Sequence, residues 1–268
     1  MKYMTFNSSC SYAGVANMLA QYGVDADDRS IAMGMQLPYL FSHEDGVYLA
    51  GPMLQSAQWF NLYLHPIGFE MTEKNIPAEQ VPEYLKQWRT AMLGLQVGES
   101  EKHAVVYTGS HDGDLVFLNN KWEHTDAPEQ IKLTEEELID QIGSSAMIAT
   151  LKPTSPKTVD LTSRLISSQA VIRQNLEEIR ELSSREEKVI VLRSKQSALF
   201  RPLLLDGITM LNLLQKTELA CRFAALQASF VSVLKADPSK QIKLGDYLDI
   251  TELMAASERY IALIEQNL

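Results

Sequence analysis

The sequence has few cysteines, few basic residues and no long apolar run, and each shortage argues against a class of protein. Two cysteines in 268 residues cannot form a disulfide framework. No segment approaches the roughly 18 apolar residues of a membrane-spanning helix. The N-terminus also lacks the basic and then apolar regions of a secretory signal. The sequence therefore predicts a cytoplasmic protein with no membrane partner, whose two thiols are free.

Basic residues are outnumbered, with 24 Lys and Arg against 34 Asp and Glu, which argues against a nucleic-acid partner. The imbalance lies in residues 1–153, where 9 basic and 20 acidic residues give a net charge of −11. Residues 154–268 have 15 basic and 14 acidic residues, a net charge of +1. This change, with the two prolines of Leu151–Thr158, predicts a domain boundary near residue 153.

The two halves also differ in the periodicity of their apolar residues. Ser11–Tyr22 has helical spacing, and Gly23 follows it in the position of a C-terminal cap. Two β-rich arms flank a polar turn at Gly109–Asp114, which predicts a hairpin. Helices followed by an antiparallel sheet indicate an α+β domain over residues 1–153. Apolar residues recur at helical spacing in residues 154–268, which predicts an all-α helical bundle.

Cys10 is placed at the first turn of the first predicted helix. The thiolate is the nucleophilic form of cysteine, and a free thiol has a pKa of about 8.5. The unpaired N–H groups of a helix N-terminus favour that negative charge. Cys10 is therefore a candidate nucleophile, whereas Cys221 lies within a predicted helix and is expected to be a core residue.

A thiol nucleophile needs a base and a group that orients the base. His103 opens the first arm of the predicted hairpin, and Asn119 follows it by sixteen residues on the returning arm. An amide oxygen can accept an imidazole N–H and so fix the tautomer of the ring. Asn119 is the predicted orienting residue, but a shift of one residue in register would put Asn120 in its place.

Cys10 at the head of a helix, His103 in "HAVVY" and then Asn119 together resemble the papain-like cysteine peptidases, most closely their C39-like branch. The resemblance covers roughly residues 3–152 and implies a papain-like α+β fold. It also implies a Cys10–His103–Asn119 triad that attacks a peptide or amide bond and forms an acyl-enzyme. The butirosin-biosynthesis-H-type acyltransferases share this spacing, which implies as an alternative the transfer of an acyl group from a carrier protein to an amine.

The sequence departs from the C39-like pattern at two positions. Members of that branch have a glutamine about six residues before the cysteine, whose amide donates to the oxyanion, and here that residue is Met4. Ser11 replaces the glycine that usually follows the cysteine. Asn7 or the backbone N–H of Cys10 would then have to stabilise the oxyanion. These departures also suit a third reading, a catalytically inactive binding module that keeps the fold.

The segment Pro38–Phe60 is rich in aromatic residues and interrupted by glycines, which is typical of a loop that borders a substrate groove. The aromatic residues expected to form its walls are Tyr39, Phe41, Tyr48 and Trp59. No phosphate-binding loop or paired-cysteine spacing is present, and the scattered Cys and His predict no metal and no cofactor. The helical domain is expected to cover the site, recognise the substrate or form a homodimer. The predicted partner is a peptide, an amide or an acyl-carrier substrate.

Overall fold

The computed structural model describes residues 1–96 and 102–268. In these residues the α-helices are α1 (Cys10–Ala20), α2 (Asp28–Gly34), α3 (Ala57–Leu64), α4 (Val81–Lys86), α5 (Glu135–Ile142), α6 (Leu161–Ser183), α7 (Val189–Ser194), α8 (Gly207–Leu213), α9 (Thr217–Leu234) and α10 (Ile250–Glu265). The β-strands are β1 (Phe41–Glu44), β2 (Val47–Ala50), β3 (Phe69–Pro77), β4 (Ala91–Gln96), β5 (Lys102–His111), β6 (Asp114–Asn119), β7 (Gln130–Leu133), β8 (Ser145–Pro153), β9 (Glu186–Lys188) and β10 (Gln241–Lys243). No helix within the described ranges is both long and apolar enough to cross a membrane.

The chain divides into two compact units. The sheet unit comprises Met1–Met35 and Gln55–Val159, and the helical unit comprises Gln36–Leu54 and Asp160–Leu268. The sheet unit has a six-stranded sheet in the order β3-β8-β4-β5-β6-β7, with every neighbouring pair antiparallel. The prediction of an α+β domain with helices and an antiparallel sheet is confirmed.

Alternation along the strands sends every second residue of the sheet into a buried core that also contains residues of α4 and α5. Part of this core is formed by the hairpin, where Val105 and Tyr107 of β5 lie on the same face of the sheet as Leu115 and Phe117 of β6. The members of the core are Ile76, Ala78, Val81, Leu85, Ala91, Leu93, Leu95, Val105, Tyr107, Leu115, Phe117, Leu133, Leu138, Ile142, Ala146 and Ile148. The hairpin is thus fixed in register by its apolar face.

Helix α1 is buried on every side, since all residues from Ser11 to Leu19 are buried. The amphipathic pattern of the sequence predicts one buried face, whereas in the structure the helix is buried on all of its faces. Gly14 permits its close approach to the sheet, because a Cβ there would lie 2.4 Å from Met92 Sδ and 2.7 Å from Asn120 Nδ2. A side chain at position 14 would force the helix and its neighbours apart.

The helical unit contains α6 to α10, with π-helical turns at Gln196–Phe200 and Pro202–Asp206 between α7 and α8. It also has two pairs of short antiparallel strands, β1 with β2 and β9 with β10. The helical periodicity of the sequence does not predict these strands. The unit is therefore mainly helical, as predicted, with small strand pairs added.

The segment Gln36–Leu54 packs in the helical unit although it lies within the first predicted domain. The Phe41 backbone N–H donates to Ser168 Oγ on α6, and Tyr260 Oη on α10 donates to the Pro38 carbonyl. These partners are 127 and 222 positions apart in sequence. The predicted boundary at residue 153 leaves residues 36–54 in the first domain, because composition along the chain carries no signal of such distant contacts.

Candidate active site

The chain that leads into α1 is held by a buried carboxylate, Asp28 at the start of α2. Its oxygens accept the Thr5 backbone N–H at 2.6 Å, the Thr5 hydroxyl at 2.7 Å and the Ser9 hydroxyl at 2.8 Å. Ser9 is the N-cap residue of α1, but its side chain makes no capping hydrogen bond. Because Ser9 faces Asp28 instead, the first-turn N–H groups of α1 remain available near Cys10.

Cys10 is the first residue of α1 and its side chain is partly buried. Burial raises the pKa of the Cys10 thiol. Hydrogen bonds from His103 and from the Ala104 backbone N–H lower this pKa by more than burial raises it. The resulting pKa lies below the ordinary value for cysteine. The surroundings of Cys10 therefore favour the thiolate, which is the nucleophilic form.

His103 is the hydrogen-bond partner of Cys10, and its other contact fixes the tautomer. His103 Nε2 lies 2.7 Å from the Asn120 carbonyl oxygen. A carbonyl can only accept, so Nε2 carries a hydrogen, and in the neutral ring Nδ1 is the free acceptor for the thiol proton. The hydrogen bond with Cys10 raises the pKa of His103 more than burial lowers it. The opposite shifts of the two pKa values are those of a thiolate–imidazolium pair.

The main chain of Ala104 is shared between the nucleophile and the end of β6. Pairing between β5 and β6 ends at Val105 and Asn119, so β6 does not cover Ala104. The Ala104 N–H donates to the Cys10 thiol, and the Ala104 carbonyl accepts from Asn120 Nδ2 at 3.0 Å. The Cys10 thiol therefore contacts β5 at Ala104, where β6 leaves the main chain of β5 unpaired.

Asn120 connects three parts of the site. Its carbonyl accepts from His103, its Nδ2 donates to Ala104, and its Oδ1 accepts from Asn17 Nδ2 of α1 at 3.0 Å. The bare backbone at Gly14 makes room for this amide. Asn120 thus positions the base through its backbone and joins α1 to the sheet through its side chain.

The Asn119 side chain is predicted to orient His103, but in the structure it contacts another part of the chain. Asn119 is opposite Val105, so its side chain lies on the core face of the sheet. Its Nδ2 donates to the Pro128 carbonyl at 2.9 Å, and its buried Oδ1 has no partner among the described residues. The group that holds His103 is the Asn120 carbonyl, because the chain leaves the strand directly after Asn119.

A cleft of about 320 Å³ opens beside Cys10. Its lining residues, all in the sheet unit, are Cys10, Ser11, Gln55, Glu73, Met92, Leu93, Gly94, Ala104, Met147 and Ala149. Gln55 Oε1 accepts the Ser11 hydroxyl at 2.9 Å. This contact leaves the N–H donors of the Gln55 amide available to the cleft.

Gln55 is a residue that the sequence did not reveal. The C39-like pattern places the donor shortly before the cysteine, whereas Gln55 lies forty-five residues after Cys10 in a segment without periodicity. Met4 is buried and its N–H donates to the Lys121 carbonyl. Asn7 is exposed and is not among the described residues that line the cleft. Gln55 therefore replaces Asn7 as the candidate side-chain donor to the oxyanion.

The aromatic side chains predicted to wall the groove are core residues or lie elsewhere. Phe41 contacts Tyr260 edge to face, and Tyr48 donates to Glu178, both within the helical unit. Phe41, Tyr48 and Trp59 are all at most 4% exposed. None of these three, nor Tyr39, is among the described residues lining the cleft. Burial of Phe41, Tyr48 and Trp59 stabilises the units to which they belong.

No group of three or more His, Cys, Asp or Glu in the described ranges is arranged to hold a metal ion. Cys10 and Gln55 line one cleft, and Cys10 is hydrogen-bonded to His103, whose tautomer is fixed. This arrangement is suited to attack on a carbonyl carbon.

The solved structures to which this chain is similar include the following two. One is the peptidase domain of Streptococcus ComA, a bifunctional ABC transporter involved in a quorum-sensing pathway, with 13% identity and a TM-score of 0.39 over 57% of this chain and 97% of that one. The other is a putative C39-like peptidase from Bacillus anthracis, with 12% identity and a TM-score of 0.34 over 57% and 92%. The second belongs by its description to the branch that the sequence resembles. At these scores neither similarity assigns an activity to this chain.

No family model matches the chain, and no curated protein matches it either.

Proposed function

We propose that the chain is a cysteine-dependent hydrolase of a peptide or amide bond. The observation that carries this proposal is the chain of contacts from the Cys10 thiol to His103 and on to the Asn120 carbonyl. A structural cysteine needs neither a base nor a group that fixes the tautomer of that base. The same contact lowers the pKa of Cys10 and raises the pKa of His103, as a thiolate–imidazolium pair requires.

In the proposed reaction the Cys10 thiolate attacks the carbonyl carbon of the substrate. The tetrahedral oxyanion accepts hydrogen bonds from the Cys10 backbone N–H, at the start of α1, and from the Gln55 amide. Protonated His103 then gives its proton to the leaving amine, and an acyl-enzyme remains. His103 next takes a proton from water, which attacks the thioester and releases the acid.

The same acyl-enzyme could pass its acyl group to an amine instead of water, as in the acyltransferase alternative. The two activities share every residue named above and differ only in the acceptor. The inactive-module alternative rested on the lack of an amide donor at Met4. The Gln55 amide can supply this donor from another part of the chain. We therefore favour an active enzyme over an inactive module, and hydrolysis is the activity that we place first.

The test measures the alkylation of both cysteines by iodoacetamide at pH 6–7, with peptide mass spectrometry as the readout. Cys10 is expected to react faster than Cys221 although Cys221 is the more exposed thiol. The Cys10→Ser variant should keep Cys221 labelling and form no adduct at position 10. Equal labelling of the two thiols would rule out both enzymatic readings.

A second measurement separates the two fates of the acyl group. The protein is incubated with p-nitrophenyl acetate, with and without an added primary amine, and followed by intact mass. We expect an acetyl adduct on Cys10 that decays in buffer alone. An adduct that persists in buffer and disappears only with the amine would favour acyl transfer over hydrolysis.

A further inference from the structure

The cleft beside Cys10 carries one carboxylate, Glu73 of β3. Among the lining residues that the structure describes, Glu73 is the only Asp, Glu, Lys or Arg. Glu73 is exposed, and no ion pair joins it to a Lys or Arg of the described ranges. The neighbouring Lys74 points to the other face of the strand, where its Nζ lies over the Tyr84 ring. The carboxylate therefore faces the cleft without a cation.

The sheet register gives the distance between Glu73 and the nucleophile. Glu73 is paired with Ala149 of β8, and Ala149 is paired with Met92 of β4. Strand β5, whose Ala104 N–H holds the Cys10 thiol, is the next strand. Three strand spacings of about 4.8 Å separate β3 from β5, or roughly 14 Å. Met92 is opposite Val106, so Ala104 lies two residues further along β5, an offset of about 7 Å. The two components give a separation of roughly 16 Å, which an extended substrate spans with about five residues.

The floor between these two points is made of small side chains. Gly94, Ala104 and Ala149 line it, with Met92 and Met147 beside them. Small residues leave room for the main chain of an extended substrate, and the methionines give apolar contact. Away from the Cys10–His103 pair, the charged side chain among the described lining residues is therefore Glu73.

We propose that Glu73 selects substrates with a cationic group, a Lys or Arg side chain or an amine, within about five residues of the carbonyl that Cys10 attacks. This inference rests on the proposed function and names the substrate class of the same site. The surplus of acidic residues in residues 1–153 acts in the same direction, since it attracts cations to this half of the chain.

The test uses peptides in which a fumaramide replaces the scissile bond, with five residues on each side. The thiolate adds to the alkene, so a carbon–sulfur bond forms and the neighbouring carbon takes up a proton. Lys, norleucine or Glu is placed at each of the ten positions in turn. The rate of adduct formation on Cys10 is followed by intact mass, and the Lys to norleucine ratio is taken within each protein.

In the wild-type protein the Lys probes are expected to react about threefold to fivefold faster than the norleucine probes for at least one position. Glu73→Gln should bring that ratio to about one, and Glu73→Lys should invert it in favour of the Glu probes. Glu136→Gln, an exposed substitution on α5 with the same change in net charge, should keep the wild-type ratio.

Two results would overturn the inference and differ from a failure of the proposed function. A reactive Cys10 whose rates do not depend on probe charge would refute the role of Glu73 alone. A charge preference that persists in Glu73→Gln, or is lost equally in Glu136→Gln, would assign it to the overall charge instead. A Cys10 that reacts with iodoacetamide no faster than Cys221 would instead refute the proposed function.

Discussion

The two thiols of the chain lie on helices of different units, and their surroundings differ more than their exposure. Cys10 is the first residue of α1, is partly buried, and contacts an imidazole and a backbone N–H. Cys221 is exposed within α9, on a groove that also includes Arg222 and Tyr247. Its expected place in a core is therefore wrong. The difference shows that access alone does not make a thiol reactive, because the thiolate must also be stabilised.

The largest change in this comparison is expected from His103→Ala. Without the imidazole, burial still raises the pKa of Cys10, and the hydrogen bonds from the Ala104 N–H and the Ser11 side chain are left to oppose it. A thiol with a pKa of 8.5 is only about 3% ionised at pH 7, so alkylation of Cys10 should fall by about tenfold or more. The measurement is the iodoacetamide rate of each cysteine between pH 5 and 9.

The pH profile gives the sign of the effect. The pKa of Cys10 is lowered, so its wild-type rate should rise at a lower pH than that of N-acetylcysteinamide, a small free thiol. In His103→Ala the rise should move to higher pH. His111→Ala, at the exposed end of β5, is the matched control and should change neither cysteine. Coincident profiles of the wild type and His103→Ala would contradict the thiolate–imidazolium pair.

A smaller effect is expected from Gly14→Ala. The new Cβ would lie within 3 Å of Met92 Sδ and Asn120 Nδ2, and Asn120 is already bound to Asn17 and Ala104. Overpacking costs about 1–3 kcal/mol, which outweighs the gain of about 1 kcal/mol from replacing a helical glycine by alanine. Unfolding in urea should show a lower free energy, and Cys10 alkylation should fall severalfold because α1 and Asn120 move apart. A more stable protein with unchanged labelling would contradict this account.

The sequence predicted the parts of the site that depend on local pattern. A helix that starts at Cys10 and a hairpin that starts near His103 follow from periodicity, and with them the order of nucleophile and base. Three other features depend on contacts between distant segments. Asp28 holds the approach to Cys10, Gln55 enters the cleft, and residues 36–54 pack in the helical unit. A single sequence carries no periodic signal for such contacts.

The sequence leaves the choice between Asn119 and Asn120 open for a different reason. Alternation along β6 fixes which face a residue occupies but not where the strand ends. Pairing stops at Asn119, and the chain then turns so that the carbonyl of the next residue meets His103. The sequence also favoured a side-chain amide as the acceptor, whereas any residue could supply a backbone carbonyl. A pattern of side chains cannot reveal a contact made by the main chain.

The smallest effect on the two thiols is therefore expected from substitution of these asparagines. Asn120→Ala keeps the backbone carbonyl that accepts from His103 but removes the hydrogen bonds to Ala104 and Asn17. Each such bond contributes about 0.5–1.5 kcal/mol, so stability should fall by about 1–3 kcal/mol. Alkylation of Cys10 should fall by no more than about threefold, because the base keeps its tautomer.

Asn119→Ala is the matched variant one residue away. It removes the hydrogen bond to Pro128 and also a buried oxygen that has no partner among the described residues, so loss and gain partly cancel. Cys10 and Cys221 should both react at wild-type rates, and urea unfolding should change by less than in Asn120→Ala. If Asn119→Ala instead slowed Cys10 about as much as His103→Ala, the Asn119 side chain would be the orienting group after all, and the backbone assignment would be wrong.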